Sequence, residues 1–155
     1  MKIVFFANGK FALKSLQALY ESNYNLAAVV TNTPKPSGRK KQLKPTPVGT
    51  FCIDHDINTI YTDNLKTESF IYNLESLNAD LFIVISYRIL PANIYTIPKC
   101  GSINIHASYL PEYPGASPIQ YSIINNEAYV GLTSFFLNDS IDKGDIIDRL
   151  KVPID

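Results

Sequence analysis

Cysteine and histidine are scarce in this chain of 155 residues, with two of each. Cys52 and Cys100 are too few for a disulfide framework or a thiolate zinc cage, and they suit a reducing compartment. The two histidines and two cysteines are scattered, so no metal is expected. Net charge is absent as well: fourteen Lys and Arg balance fourteen Asp and Glu, so only a local basic run could draw the chain to a polyanion. Long apolar runs are missing. No stretch approaches the roughly 18 residues of a membrane helix. The N-terminal run Ile3 to Ala7 is short for a signal peptide and is followed by Asn8, Gly9 and Lys10. The expectation is a soluble, cytoplasmic protein with no membrane partner. Charged residues make up only 18% against 46% hydrophobic, which excludes disorder. At this length one domain is expected, burying roughly 68–70% of its unfolded surface.

What is present reads as alternating strands and helices. Lys2 to Ala7 is an apolar, β-rich run without alternation, as in a strand covered on both faces. Phe11, Leu13, Leu16, Leu19 and Tyr20 recur at helical spacing up to Ser22-Asn23, and Leu26 to Thr31 is a second buried strand. Strand, helix, strand in this order is the βαβ unit of a parallel sheet. Further on, Val48 to His55 and Glu68 to Leu77 read as helices, and Pro91 to Tyr95 as one helical turn. Ser117 to Asn125 is a helix with Ser117 as N-cap and Pro118 at its first position. Asn58 to Tyr61, Asp80 to Ser86, Ser102 to His106, Val130 to Leu137 and Ile146 to Val152 read as strands. The sum is a three-layer, Rossmann-like α/β domain with a mostly parallel central sheet and no internal repeat.

One segment breaks the pattern. Thr33 to Pro47 carries Pro34, Pro36, Gly38, Pro45 and Pro47 together with Lys35, Arg39, Lys40, Lys41 and Lys44, and no acid occurs between Glu21 and Asp54. This is a long basic loop: either a solvated connection or a contact for an anionic partner.

In an open parallel sheet the chemistry lies beyond the carboxyl ends of the strands. GSINIHASYLP, Gly101 to Pro111, is the most informative stretch there. Strand residues two apart share a face, so Asn104 and His106 point one way, Ile103 and Ile105 the other. An amide can hold a developing oxyanion, and an imidazole can move protons near neutral pH. Spacing alone leaves a second reading open, two polar residues satisfied by the loop that follows. NDSIDKGD, Asn138 to Asp145, places three acids and a glycine after a strand. It reads as an acidic turn, or as the source of a carboxylate that orients the histidine. His55, between Asp54 and Asp56, is expected at the surface. Neither GxGxxG nor GxxxxGK[ST] follows the first strand, and GxSxG is absent, which weakens phosphate-loop and serine-hydrolase readings.

INIHASYLPEYPGASPIQYSIINNE and FFLNDSIDKGDII resemble the two signatures of the folate-dependent formyltransferase family, and the resemblance runs over essentially the whole chain. It implies a formyltransferase fold over residues 1–155 and transfer of a formyl group from 10-formyltetrahydrofolate to a primary amine. The nearest branch takes the methionine amine of charged initiator tRNA. The family's catalytic trio falls on Asn104, His106 and Asp142. Ser108, Tyr109, Leu110 and Pro111 match its folate-contacting turn, and Arg88, Ile89 and Leu90 a stretch that lines the pterin pocket. The basic run is similar to the loop that meets the tRNA acceptor stem, with Arg39, Lys40 and Lys41 against phosphates. A monomer is expected.

The chain departs from the family pattern in three places. Ala7-Asn8-Gly9-Lys10 stands where a Gly-Thr-Pro-like turn is usual, Pro114 where an Arg is usual, and Ser117 where a smaller residue is typical. The resemblance also implies closing helices and a C-terminal tRNA-gripping barrel domain beyond Asp155, so the sheet is expected to leave apolar surface uncovered. Two other readings are kept. One has a different acceptor, glycinamide ribonucleotide or an amino sugar nucleotide. The other is a catalytically silent folate- or tRNA-binding module.

Overall fold

In a computed structural model, which describes residues 1–38 and 41–154, strand β1 (Lys2–Ala7) shows why its sequence does not alternate. Val4 and Phe6 enter one hydrophobic cluster; Ile3, Phe5 and Ala7 enter another. The strand is the seam between two cores. Both phenylalanines are fully buried, and each contributes about 1.5–3 kcal/mol by leaving water.

The first cluster packs β1, β2 (Asn25–Thr31) and β6 (Leu81–Ile85) under helices α3 (Glu68–Ser76) and α4 (Ala92–Tyr95). The second packs the opposite sheet face under α1 (Leu13–Tyr20) and α2 (Pro47–Asp54). The result is the expected three-layer sandwich. With β5 (Thr59–Tyr61), β7 (Ser102–His106), β8 (Tyr129–Phe136) and β9 (Ile146–Pro153), the seven-stranded sheet runs β5-β2-β1-β6-β7-β8-β9. The strands from β5 to β7 are parallel; β8 runs antiparallel to β7, and β9 antiparallel to β8. Antiparallel direction at this edge fits the direct connection, residues 137–145, that joins the last two strands without a crossover helix.

Two expectations need correction. The basic segment is not simply a loop: β3 (Lys35–Ser37) and β4 (Gln42–Lys44) form a separate two-stranded antiparallel ribbon, fully exposed. Both strands are short and contain or flank proline, so no alternation betrays them. Helix α5 (Pro118–Ile124) begins after Ser117 as expected, yet the Ser117 side chain makes no capping bond. Its backbone is left-handed (φ +59°) rather than in the extended region a capping residue takes.

The last strand is exposed along its length, with Ile146, Ile147, Leu150 and Val152 all open to solvent. Cations on aromatic faces hold its other side: Lys151 Nζ lies 3.9 Å from the Tyr129 ring centre and the Arg149 guanidinium 4.7 Å from that of Tyr109. Among the described residues no helix is long and apolar enough to cross a membrane.

Candidate active site

The parallel strands β6 and β7 end side by side, Val84 opposite Asn104, and a cleft of about 960 Å³ opens beyond them. Its volume suits a drug-sized ligand. Asn104 and His106 share the strand face that lines it, as strand spacing predicts. The Asn104 amide makes no hydrogen bond within the protein among the described residues, leaving its donor for a ligand.

His106 and Asp142 meet across the cleft. Nε2 of His106 lies 3.8 Å from Oδ2 of Asp142, and each side chain is only 11% exposed. Nε2 also donates to the Tyr113 carbonyl at 3.2 Å. A carbonyl only accepts, so Nε2 carries a proton. Nδ1 has no partner among the described residues. Asp142 in turn accepts the Gly115 N–H at 2.7 Å. Asp142, Tyr113 and Gly115 all have left-handed backbones, at φ +53°, +50° and +85°. For the two that are not glycine this conformation costs about 1–2 kcal/mol each. Sequence reading missed Tyr113 and Gly115 because each contributes a main-chain group.

The wall after β6 is built by Tyr87 to Leu90. Leu90 is buried and Ile89 is exposed. Arg88 borders the cleft, but its guanidinium is committed elsewhere: it donates to the carbonyls of Asp63 (2.5 Å) and Thr62 (3.0 Å) and to Oδ1 of Asn32. It lies 3.8 Å from the Asp63 carboxylate. Arg88 thus ties the loops after β2, β5 and β6 into one rim. Burial pushes the Tyr87 hydroxyl above the ordinary tyrosine range. On the far side, Tyr95 of α4 donates to Oδ1 of Asp139 at 2.6 Å, anchoring the acidic turn, and that bond raises the Tyr95 pKa. Asn138 folds the same turn by accepting the Ser140 N–H at 2.9 Å. The unusual Asn8 closes the first strand: its Oδ1 accepts from Thr31 Oγ1 (3.0 Å) and the Asn32 N–H (2.9 Å).

Ser108, Tyr109, Leu110 and Pro111 do not line this cleft. The turn is held against β8 instead. Buried Thr133 accepts the Leu110 N–H at 3.0 Å and donates to the Ser108 carbonyl at 2.7 Å. Leu110 is buried, and the Tyr109 ring stacks on the β8–β9 surface beneath Arg149. Lys41 sits in the β3–β4 turn, exposed and away from the cleft lining. Arg39 and Lys40 lie outside the described residues. Pro114 is exposed. His55 is exposed on α2's end, stacked on Phe51 at 4.1 Å between ring centres.

The chain and its fold are similar to known proteins. The formyl transferase family model covers residues 1–155. A methionyl-tRNA formyltransferase of Bacteroides fragilis is 39% identical over 99% of the chain and 48% of its own length. The chain therefore spans about half the length of the curated relatives it matches. Among solved structures, a phosphoribosylglycinamide formyltransferase of Streptococcus pneumoniae superposes with a TM-score of 0.79 at 22% identity, covering 99% of this chain and 82% of that one. A sugar 3N-formyl transferase, solved with dTDP and 5-N-formyl-THF, gives 0.66 at 26% identity over 100% of this chain and 53% of that one. With its whole length matched by the family model and this fold around the paired strand ends, the chain belongs to the formyl transferase family.

Proposed function

We propose that this chain is the catalytic half of a methionyl-tRNA formyltransferase, moving a formyl group from 10-formyltetrahydrofolate to the methionine amine of initiator tRNA. The observation that carries the reading is the Asn104 amide and the His106 ring on one strand face of the cleft, with Asp142 3.8 Å from that ring. The relatives named methionyl-tRNA formyltransferase, matched along nearly all of the chain, support this acceptor. The exposed basic ribbon gives a tRNA backbone something to meet, which a small amine would not need.

The cleft fits the donor. Ile89, Leu90 and Leu137 offer apolar walls for a flat heterocycle, and the turn from Asn138 to Asp142 offers main-chain and carboxylate partners for its edge. When bound, the folate supplies the formyl group. Asn104 donates to the formyl oxygen as it takes up negative charge. His106, with its Nδ1 open, takes the proton that the attacking amine sheds and returns it to the departing folate nitrogen, directly or through one water. Asp142 holds the ring in place and balances its charge while it is protonated. Ser108 to Pro111, held against β8 by Thr133, follow directly on His106 and serve in this reading as the folate-contacting turn. No metal takes part in this scheme, and the protein acts as a cytoplasmic monomer.

The test is a formyl-transfer assay with 10-formyltetrahydrofolate and three acceptors: methionine-charged initiator tRNA, glycinamide ribonucleotide and a dTDP-amino sugar. Transfer to the tRNA alone is expected. Transfer only to a small amine would keep the chemistry and change the acceptor. Folate binding without transfer to any of them would leave a binding module.

A further inference from the structure

The segment Tyr113-Pro114-Gly115 brackets the His106–Asp142 pair. Its first residue presents a carbonyl to Nε2 of His106 at 3.2 Å, and its third presents an N–H to Asp142 at 2.7 Å. Pro114 between them has no N–H and a locked φ, so only its ψ is left to vary the separation of the two main-chain groups. A tyrosine at φ +50° needs a reason to stay there. Its hydroxyl supplies one. The Tyr113 O–H donates to Oε1 of Glu127 at 2.6 Å and accepts from Nδ2 of Asn125 at 3.0 Å. Both partners sit just past the end of α5, and the Glu127 N–H is itself tied to the Ser122 carbonyl at 2.9 Å. The Glu127 carboxylate raises the phenol above the ordinary tyrosine range, so the hydroxyl remains a donor across neutral pH.

We propose that Tyr113 is the positioning residue of His106: anchored at its hydroxyl by Glu127 and Asn125, it presses its carbonyl against Nε2, keeps the neutral ring in the Nε2–H tautomer and reserves Nδ1 for the substrate. An imidazole with both nitrogens free populates two tautomers, and only one of them offers a lone pair to the incoming amine. Asp142 lies beyond hydrogen-bond range of Nε2, so it leaves the choice of tautomer to the closer carbonyl. Asp142 reaches the ring from the acidic turn, the Tyr113 phenol and Glu127 stand behind the Tyr113 carbonyl, and Arg149 of β9 lies in register with His106 across Thr133. The proposal rests on the reading of His106 as the proton carrier of formyl transfer.

Nitrogen NMR of the 15N-labelled chain tests it without needing turnover. There are two histidines, and His55 is a built-in control, since its Nδ1 faces the Phe51 carbonyl at 2.9 Å and selects the opposite tautomer. Wild-type His106 should show Nε2 protonated and Nδ1 bare. Tyr113→Phe and Glu127→Leu should each move His106 toward mixed tautomers and leave His55 unchanged. The double variant should add nothing to either single one, because both break the same anchor. Glu127→Gln, whose amide oxygen still accepts, should keep the wild-type signal. In the transfer assay the two disruptive variants should lower kcat on the order of tenfold with an unchanged folate KM. If Tyr113→Phe does not melt cooperatively, Asn125→Ala, which removes one bond to the hydroxyl, takes its place. An unmoved His106 signal in folded variants would overturn the positioning role. A shifted tautomer in a protein whose wild type transfers no formyl group would retire the enzymatic reading and keep the placement of the ring by Tyr113.

Discussion

A methyl group on Gly131 would lie 2.0 Å from the main-chain nitrogen of Tyr109. The turn that leads out of His106 crosses β8 at this point, backbone on backbone, and no rotamer can relieve the overlap. Gly131→Ala should therefore lose more than the usual cost of overpacking, upward of about 3 kcal/mol. The readout is a lower urea midpoint at an unchanged slope. A variant within about 1 kcal/mol of wild type would show that the turn lifts off β8 without harm, and that Thr133 alone holds it.

That crossing also marks what the sequence could and could not tell. The face shared by Asn104 and His106 was legible, because strand period alone sets it. So was the seam role of Lys2 to Ala7, where an unbroken apolar run means two covered faces. The path of Ser108 to Pro111 was not. It depends on a hydroxyl and a missing side chain on β8, some twenty residues on, and neither Thr133 nor Gly131 advertises a partner. The reach of Arg88 was hidden for a similar reason: no spacing rule tells that its guanidinium meets the Asn32 side chain and the carbonyls of Thr62 and Asp63. Tyr113 acts through its carbonyl, and a main-chain group has no letter in the sequence. The β3–β4 ribbon, with Pro36 inside one strand and every residue exposed, offers no hydrophobic pattern at all.

Asp80 should make stability depend on acid. Its Oδ2 accepts the Lys2 N–H at 2.7 Å, and Lys99 Nζ stands 3.7 Å from its other oxygen. Chiefly that backbone bond, with help from Lys99, holds its pKa below the ordinary carboxylate value. A depressed folded-state pKa stabilises the fold above the unfolded value, and the contribution is lost as pH falls through the folded one. The stability gap between wild type and Asp80→Ala should be steady from neutral pH down to about 5, then close below about 4. A gap that persists in stronger acid would mean the side chain acts by packing rather than by charge.

The basic ribbon sets Lys35 directly opposite Lys44, an arrangement that repels unless an anion lies between or beside them. Lys41 is exposed at its turn, and under the proposed function this ribbon meets the tRNA backbone. Replacing Arg39, Lys40 and Lys41 together with glutamine should weaken binding of initiator tRNA. It should also flatten the log–log salt slope by up to about one unit for each phosphate that is no longer neutralised. Unchanged binding of folate would place the loss on the tRNA side. An unchanged salt slope would remove this ribbon from the acceptor interface.

Arg88 and His106 border the same cleft and should fail in opposite ways. His106→Ala removes a group assigned to proton transfer, so turnover should fall on the order of 10²-fold or more while folate still binds. Asn104→Ala should behave alike, through loss of the oxyanion donor. Arg88→Ala deletes the tie among the loops after β2, β5 and β6 and touches none of the reacting atoms. It should weaken folate binding and lower the melting temperature, with turnover at saturating folate much less affected. Arg88→Lys should rescue little, because an ammonium cannot span the Asn32 amide and the carbonyls of Thr62 and Asp63 at once. Isothermal titration with the folate beside single-turnover kinetics separates the two patterns. Equal loss of binding and chemistry in His106→Ala would make that histidine a structural residue, and the assignment of proton transfer to it would fall.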